Sequence, residues 1–523
     1  MIQPIIRVNV IRQFRFLRTR LFSTLTLVRR SKDVERSGKI LTRETINSDV
    51  KSAEYAVLGT IPAHAEIINK IIKTDPQRFK FDKIVSCNIG NPHIFSQKPI
   101  TFFRQVTSLL ENEDLLKQEN RGIIRKLYPE DAISRAETLS KHIGPLGAYS
   151  ESKGILHIRE NIAKFIELRD GYKACPETIF LTQGAGEGIQ RVLQILHQPN
   201  HTQQTGVMIP IPQYPIYTAA LQLMGARPVP YYLDSGRHFA LDLERLQQSV
   251  REARQQDIHV RALVVINPGN PTGQCLPEEN IREVIQFCHE EGLVVLADEV
   301  YQANVFQPKN HPFHSFRKVL LSMDPKYGKQ ELFSFHSISK GMIGECGRRG
   351  GYVECLNIDS GVLEELYKVF SIFSGANIQG QIMVDLMVHP PVEGDPSYPQ
   401  YKAEMDAIHT SYHRRAQKLA ECFNRLEGVS CDDAKGAMYL FPRIRLPPNA
   451  MTEARRASMS PDSFYALALL NETGICVVPG SGFGQEPGTF HIRCSFLPEE
   501  SLFDKLCLDI EQFHKRFMEQ YKG

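Results

Sequence analysis

Lys340 ends the run Phe335-His336-Ser337-Ile338-Ser339-Lys340, and Arg348 follows eight residues later. Upstream stand Asn270-Pro271-Thr272-Gly273 and Asp298-Glu299-Val300-Tyr301, each at the end of a short apolar run of β type. A primary amine in that company can hold an aldehyde cofactor covalently and then serve as a proton shuttle. Asp298 closes the run Leu293–Ala297. A carboxylate there sits at the carboxyl edge of a parallel sheet, where open α/β folds place their ligands.

The aldehyde cofactor this pattern points to is pyridoxal phosphate (PLP). For PLP, Asp298 would pair with the protonated pyridine nitrogen and keep the ring an electron sink; as an aspartate after a strand it reads equally as a helix N-cap. Asn270 lies in a turn between two Asn-Pro steps, and Pro271 restricts it to extended geometry. Its amide could donate to the ring oxygen, as could Tyr301. Tyr214, on the proline-braced loop Pro210–Pro215, reads as a ring stacked on the pyridine face or as ordinary packing. Gln183-Gly184-Ala185-Gly186-Glu187-Gly188 follows a strand and opens a helix, so it is a phosphate cup or a tight turn. A dinucleotide site is excluded: the third glycine position holds Ile189, and no Asp or Glu occurs from Ile189 to Leu233. Ser337, Ser339 and Arg348 add anion-binding groups around Lys340, although Arg348-Arg349 also reads as a surface pair. In Thr489–Cys494, alternation sets Arg493 opposite Phe490 and Ile492. Arg493 is either a bidentate clamp for a substrate carboxylate or a residue of a solvated face.

The elements that must position these residues alternate. Ile179–Thr182, Val207–Ile209, Ala262–Ile266 and Leu293–Ala297 read as short, wholly apolar strands of a parallel sheet covered on both faces. Glu187–His197 reads as a helix with Ile189, Val192, Leu193 and Leu196 on one side, and Pro277–Glu291 as a crossover helix. The proline-rich loop His389–Pro399 marks a boundary before a long charged helix, Gln400–Leu426, and the short strands Ala437–Phe441, Ile475–Val478 and Phe490–Phe496. With 523 residues the chain can form more than one domain. Its net charge of +3, much of it at the N-terminus, leaves a near-neutral body without a nucleic-acid footprint. No apolar run reaches membrane-spanning length. Eleven scattered cysteines without a C-x-x-C pair argue for free thiols and against a structural zinc.

Residues 1–32 hold seven arginines and no Asp or Glu. That is the profile of a mitochondrial transit peptide, with cleavage expected near Ser23 after Arg20-Leu21-Phe22. The expected organisation is then an extended arm over 33–60, the N-terminal part of a small domain over 61–127, a large PLP-binding domain over 128–397 and the rest of the small domain over 398–523.

In combination, the three motifs around Asn270, Asp298 and Lys340 resemble those of the fold-type-I PLP-dependent aminotransferases. Gly147-Ala148-Tyr149-Ser150, Pro210–Pro215, Pro99–Val106, Ser481-Gly482-Phe483-Gly484 and Phe490–Arg493 resemble the alanine aminotransferase branch, and the similarity spans about residue 60 to the C-terminus. The resemblance implies a large domain with a mostly parallel seven-stranded sheet and a smaller α/β domain. It implies Lys340 as the Schiff-base lysine, Asp298 at the pyridine nitrogen, Asn270 and Tyr301 at the ring oxygen and Tyr214 on the ring. Ala185, Gly186, Ser337, Ser339 and Arg348 would surround the phosphate, and Arg493 would bind the substrate carboxylate. Tyr149 would reach the phosphate of a neighbouring subunit, which implies a homodimer. Related enzymes often have Ser where Gly186 stands, which removes one hydroxyl from the cup. The implied reaction is ping-pong transfer between alanine and 2-oxoglutarate, giving pyruvate and glutamate, in the mitochondrial matrix. Rival readings are a glutamate–glyoxylate or aromatic/kynurenine aminotransferase, a PLP lyase-type synthase, or a non-catalytic protein of the same fold.

Overall fold

The computed structural model describes residues 39–53, 55, 59–199 and 201–522. The transit-peptide reading of residues 1–32 falls outside them. The chain divides into a unit of residues 1–52 and a unit of residues 53–523. The described part of the first carries a short helix, Ser48–Ser52, and exposes Ile40 and Leu41.

The second unit is built on a seven-stranded sheet. Its strands are β1 (Ile179–Thr182), β2 (Gln204–Ile211), β3 (Arg227–Tyr232), β4 (Ile258–Ile266), β5 (Val294–Asp298), β6 (Leu332–Ser337) and β7 (Gly351–Leu356), in spatial order β1-β7-β6-β5-β4-β2-β3. β7 is antiparallel to both neighbours, and every other pair is parallel. The helices that matter here are α1 (Thr101–Glu111), α2 (Glu130–Ile143), α3 (Leu156–Asp170), α4 (Ala185–Leu196), α5 (Ile216–Leu223), α6 (Leu243–Gln255), α7 (Glu278–Glu291), α8 (Ile378–Val388) and α9 (Tyr398–Asn424).

Alternation along the strands divides their side chains between two cores. Ala262, Val264, Leu296 and Phe333 pack with Ile189, Val192, Leu193 and Leu196 of α4 and with Tyr217 of α5. Leu263, Val265, Val295 and Ala297 pack with Leu246 and Val250 of α6 and with Ile281, Val284 and Ile285 of α7. Burial on both faces explains why these strands are apolar throughout. Removing one such side chain would cost about 2–5 kcal/mol. A third core joins Phe102, Phe103 and Val106 of α1 to helices α2, α3 and α8 and to Ile179 and Leu181 of β1.

Beyond α9 lies a three-stranded antiparallel sheet of β8 (Tyr439–Leu440), β9 (Val478–Pro479) and β10 (Ile492–Ser495), in order β8-β10-β9. Val85–Ser86 pairs in parallel with Ile475–Cys476, so a segment from early in the chain lies against this C-terminal part. Among the described residues no helix is long and apolar enough to cross a membrane.

Candidate active site

Parallel strands end at one edge of the sheet, and the motifs lie in the turns that leave that edge. Asp298, the last residue of β5, is in register with Ile266 of β4 on one side and Phe335 of β6 on the other. Ser337 at the end of β6 is opposite Gly351, which is opposite Thr182 at the end of β1. The turns carrying Asn270, Asp298, Lys340 and Gly184–Gly186 are therefore neighbours.

Asp298 is 4% exposed and accepts a hydrogen bond from Tyr217 Oη at 2.8 Å. No helix starts after it; the next, Phe316–Ser322, is capped by Ser315, so the helix-cap reading does not hold. Burial pushes the Asp298 carboxyl up to about 6, against the hydrogen bonds from Tyr217 and from the Val300 amide. Among the described residues no cation lies within ion-pair distance of it. A buried carboxylate so placed is suited to a cationic N–H supplied by a ligand.

The Lys340 amine donates to the carbonyl oxygen of Gly90 at 2.5 Å. Arg493 is 2% exposed, so it does not lie on a solvated face. Its Nη2 donates to the carbonyl oxygen of Asn88 at 2.5 Å and its Nη1 to Asn270 Oδ1 at 3.1 Å. The guanidinium lies between two aromatic rings, 4.2 Å from the Tyr439 centroid and 4.6 Å from that of Phe483. No carboxylate among the described residues reaches it, and its Nε has no partner. Tyr301 donates to Tyr439 Oη at 3.2 Å. Burial raises the Tyr301 hydroxyl well above its ordinary pKa. One strap of backbone, Asn88–Gly90, thus supplies acceptors to both the lysine and the arginine.

Gly184 precedes α4 with a φ of +80°, a conformation that favours glycine. Arg349 Nη2 donates to the Gln183 carbonyl at 2.7 Å and braces this turn. Its neighbour Arg348, half-buried, makes no side-chain hydrogen bond or ion pair among the described residues. Ala185 and Gly186 form the first turn of α4, whose N–H groups point out of the helix end. A Cβ on Gly186 would lie 3.0 Å from Ile216 Cδ1, so Ile216 fills the side on which a longer residue would project. Ser337 is buried, and its Oγ accepts from the Ser339 amide at 3.4 Å. Tyr214 is half-buried and shares a 2.8 Å hydrogen bond with Tyr55 Oη; burial raises its pKa. Tyr149 stands apart, 88% exposed.

Comparison with known proteins gives the family. The sequence profile described as aminotransferase class I and II matches residues 118–507. The chain belongs to the class I and II aminotransferases. It is 46% identical to a protein named probable alanine aminotransferase, mitochondrial, from Dictyostelium discoideum, over 92% of this chain and 90% of that one. It is 47% identical to glutamate–glyoxylate aminotransferase 1 of Arabidopsis thaliana, over 92% of this chain and 98% of that one. The solved structure of an alanine aminotransferase from Pyrococcus furiosus shares the fold, with a TM-score of 0.69 at 20% identity, covering 90% of this chain and 99% of that one.

Aminotransferases of this class generally depend on PLP, and the charges left over here fit that group. The Arg493 guanidinium, without an acidic partner among the described residues, leaves room for one anion beside Asn270, and the free N–H groups of the first turn of α4 leave room for a second. Asp298 without a cationic partner leaves room for one protonated ring nitrogen.

Four contributors to this aminotransferase site were not singled out from the sequence: Gly90, Asn88, Tyr217 and Tyr439. Asn88-Ile89-Gly90-Asn91-Pro92 does carry a turn signature. Tyr217 stands in an apolar helix whose buried face cannot satisfy a hydroxyl, and such a tyrosine finds a polar partner. Tyr439 sits in the apolar run Ala437–Phe441, and nothing local distinguishes it from a core residue.

Proposed function

We propose that this aminotransferase is a PLP-dependent alanine aminotransferase of the mitochondrial matrix, acting as a homodimer on alanine and 2-oxoglutarate. The observation that carries the reading is the buried, acid-free Arg493 guanidinium close to Tyr439, a tyrosine that Lys340 also faces. Every amino acid and oxo acid of the reaction brings an α-carboxylate to such a clamp.

When bound, PLP supplies an aldehyde carbon for the amino group and a ring that accepts the electron pair released at the substrate Cα. Lys340 would hold the cofactor covalently at rest, and its Nζ, once freed, would take the Cα proton from the substrate. Asp298 would hold the protonated ring nitrogen, with Tyr217 orienting that carboxylate. Asn270 and Tyr301 would donate to the ring oxygen, and Tyr214 would pack on the ring. Ala185, Gly186, Ser337, Ser339 and Arg348 would hold the phosphate, with Tyr149 of a second subunit. The same residues would serve the return half-reaction, from 2-oxoglutarate to glutamate.

The division of the body into 61–127, 128–397 and 398–523 belongs to the same proposal. Its support is that β1–β7 all lie within the middle segment and β8–β10 within the last. The first segment contributes to both, through the pairing of Val85–Ser86 with Ile475–Cys476 and the packing of α1 against α2 and α3.

The deciding experiment measures both half-reactions of purified protein with PLP, using alanine, glutamate and an aromatic donor against pyruvate, 2-oxoglutarate and glyoxylate. Fast exchange of alanine with 2-oxoglutarate supports the proposal. The 47% identity to a glutamate–glyoxylate aminotransferase favours a second reading, and a preference for glyoxylate as acceptor would establish it instead. An N-terminus near Ser23 on protein recovered from mitochondria supports the location, and an intact Met1 on cytosolic protein overturns it.

A further inference from the structure

Helix α9 and the C-terminal helix α10 (Phe503–Gln520) lie side by side in a fixed register. Arg414 pairs with Glu500, just before α10, at 2.8 Å. Lys418 pairs with Asp504, and Arg425, at the end of α9, pairs with Glu511. In all three pairs the partners stand 86 positions apart. Between the second and third rungs of this ladder stand Cys422 and Cys507, 85 positions apart, and Cys422 Sγ donates to the carbonyl oxygen of Cys507 at 3.6 Å. Spacings of three and four residues put Arg414, Lys418, Cys422 and Arg425 on one helix face, and Asp504, Cys507 and Glu511 on the other. The ion pairs therefore hold the two cysteines opposite each other, and side-chain rotation is the remaining step to a bonded pair. Both are free thiols; Cys422 is wholly buried and Cys507 is 5% exposed. We propose that Cys422 and Cys507 form a redox modification site, which an oxidant of the hydroperoxide class converts into a disulfide joining α9 to α10.

The surroundings make Cys507 the attacking group. Its hydrogen bond with Cys422 and the Lys418 and Arg425 charges lower the Cys507 thiol below its ordinary pKa, against burial and the Glu511 carboxylate. The same contact and burial raise the Cys422 thiol, so Cys422 keeps its proton while Cys507 gives one up. The Cys507 thiolate takes one oxygen of hydrogen peroxide; the O–O bond breaks, a sulfenic acid forms and the other oxygen leaves as water. The Cys422 sulfur then attacks the Cys507 sulfur, the S–O bond breaks, and the second oxygen leaves as water with the Cys422 proton. Two thiols and one peroxide thus give one disulfide and two waters. The sulfurs together lose two electrons, and the peroxide gains them. Cys87 and Cys494 also touch, but both are wholly buried, so the oxidant should reach Cys507 first.

The test uses the folded, PLP-loaded enzyme. Hydrogen peroxide is added in substoichiometric steps, the remaining thiols are blocked with N-ethylmaleimide, and a tryptic digest without reductant is read by mass spectrometry. Peptides Leu419–Arg425 and Leu506–Lys515 should appear as one joined species, lighter than their sum by two hydrogens, and dithiothreitol should separate them. The joined protein should melt higher than the reduced protein, because the crosslink closes a long loop. Cys422→Ser should stop at a dimedone-reactive Cys507, and Cys507→Ser should leave Cys422 unmodified. Lys418→Met alters only the exposed rung and should slow the crosslinking about threefold or more. Recovery of both cysteines as N-ethylmaleimide adducts after the peroxide is consumed would overturn the proposal. So would a crosslink that forms only in urea-unfolded protein, a Cys507 joined to another cysteine, or a Cys87–Cys494 crosslink that forms first.

Discussion

Two clusters of buried charge meet at the sheet, and they differ in their bookkeeping. Arg317, 1% exposed, donates to Glu354 Oε1 at 2.7 Å and lies 3.5 Å from Asp170 Oδ2; Asp170 also pairs with Arg169 at 2.7 Å and accepts from Ser315 at 2.8 Å. Arg169 reaches Glu299 at 3.9 Å. Burial pushes the Glu299 carboxyl up to about 8, against the pull of Arg169 and the Phe316 amide. With Glu299 protonated, two guanidiniums face two carboxylates and the cluster is neutral. One residue away, at Asp298, Lys340 and Arg493, the charges have no opposite partners among the described residues. The balanced cluster ties α3, helix Phe316–Ser322 and β7 together. In the proposed function the unbalanced one keeps its charges for a ligand. What separates the two clusters is therefore compensation: both hold buried carboxylates and guanidiniums, and only one pairs them.

Substitution should separate the two clusters. The largest effect belongs to Lys340→Ala, which should lower kcat by about four orders of magnitude, leave thermal stability near wild type and abolish cofactor fixation by borohydride. An active, borohydride-sensitive variant would show that another lysine holds the cofactor. Arg317→Met should act the other way. Leaving Glu354 and Asp170 without their guanidinium should cost roughly 3–5 kcal/mol of unfolding free energy, while the folded fraction keeps most of its turnover; denaturant titration beside kcat per folded molecule reads both.

Within the site, Arg493→Lys keeps the charge and loses the paired donors. It should lose roughly 2–4 kcal/mol in kcat/KM, in both half-reactions alike and with little change in PLP affinity. Damage confined to glutamate would mean that Arg493 reads the distal carboxylate. Asp298→Asn should cut turnover by about two orders of magnitude while PLP still binds. A near-normal rate would leave Asp298 a purely structural carboxylate.

The smallest effect concerns pH. Burial pushes the Glu299 carboxyl up to about 8, from an ordinary value of about 4.5. Its ionisation is therefore favoured in the unfolded chain, so the protein loses stability as pH rises from about 4.5 to about 8 and no further beyond. Glu299→Gln should flatten this decline, by a few degrees in melting temperature between pH 5 and pH 8. A variant that declines as steeply as wild type would show that Glu299 is ionised and paired in the fold.

Much of this was legible in sequence because it is local. Short apolar runs ended by turn residues gave β1 residue for residue, β5 to within one residue and the second half of β4, and the spacing of Ile189, Val192, Leu193 and Leu196 gave the buried face of α4. Asp298, Asn270 and Lys340 announced themselves because a polar residue after such a run stands at the edge of a parallel sheet. Other features are not encoded by neighbours in the chain. The antiparallel course of β7 between β1 and β6 is a choice of partner, and its residues, mostly apolar with Glu354 among them, read the same whichever way it runs. The choice between a clamp and a solvated face for Arg493 fell to the packing of β10 between β8 and β9 under Phe483. Tyr439 and Gly90 lie 349 positions apart, yet a missing side chain in one makes space for the hydroxyl of the other. Sequence determined which residues have the chemistry and which strand ends carry them, since local periodicity and turn stereochemistry act over a few residues. Tertiary structure decided which charges were compensated and which were left open, because that depends on groups brought together from hundreds of residues apart.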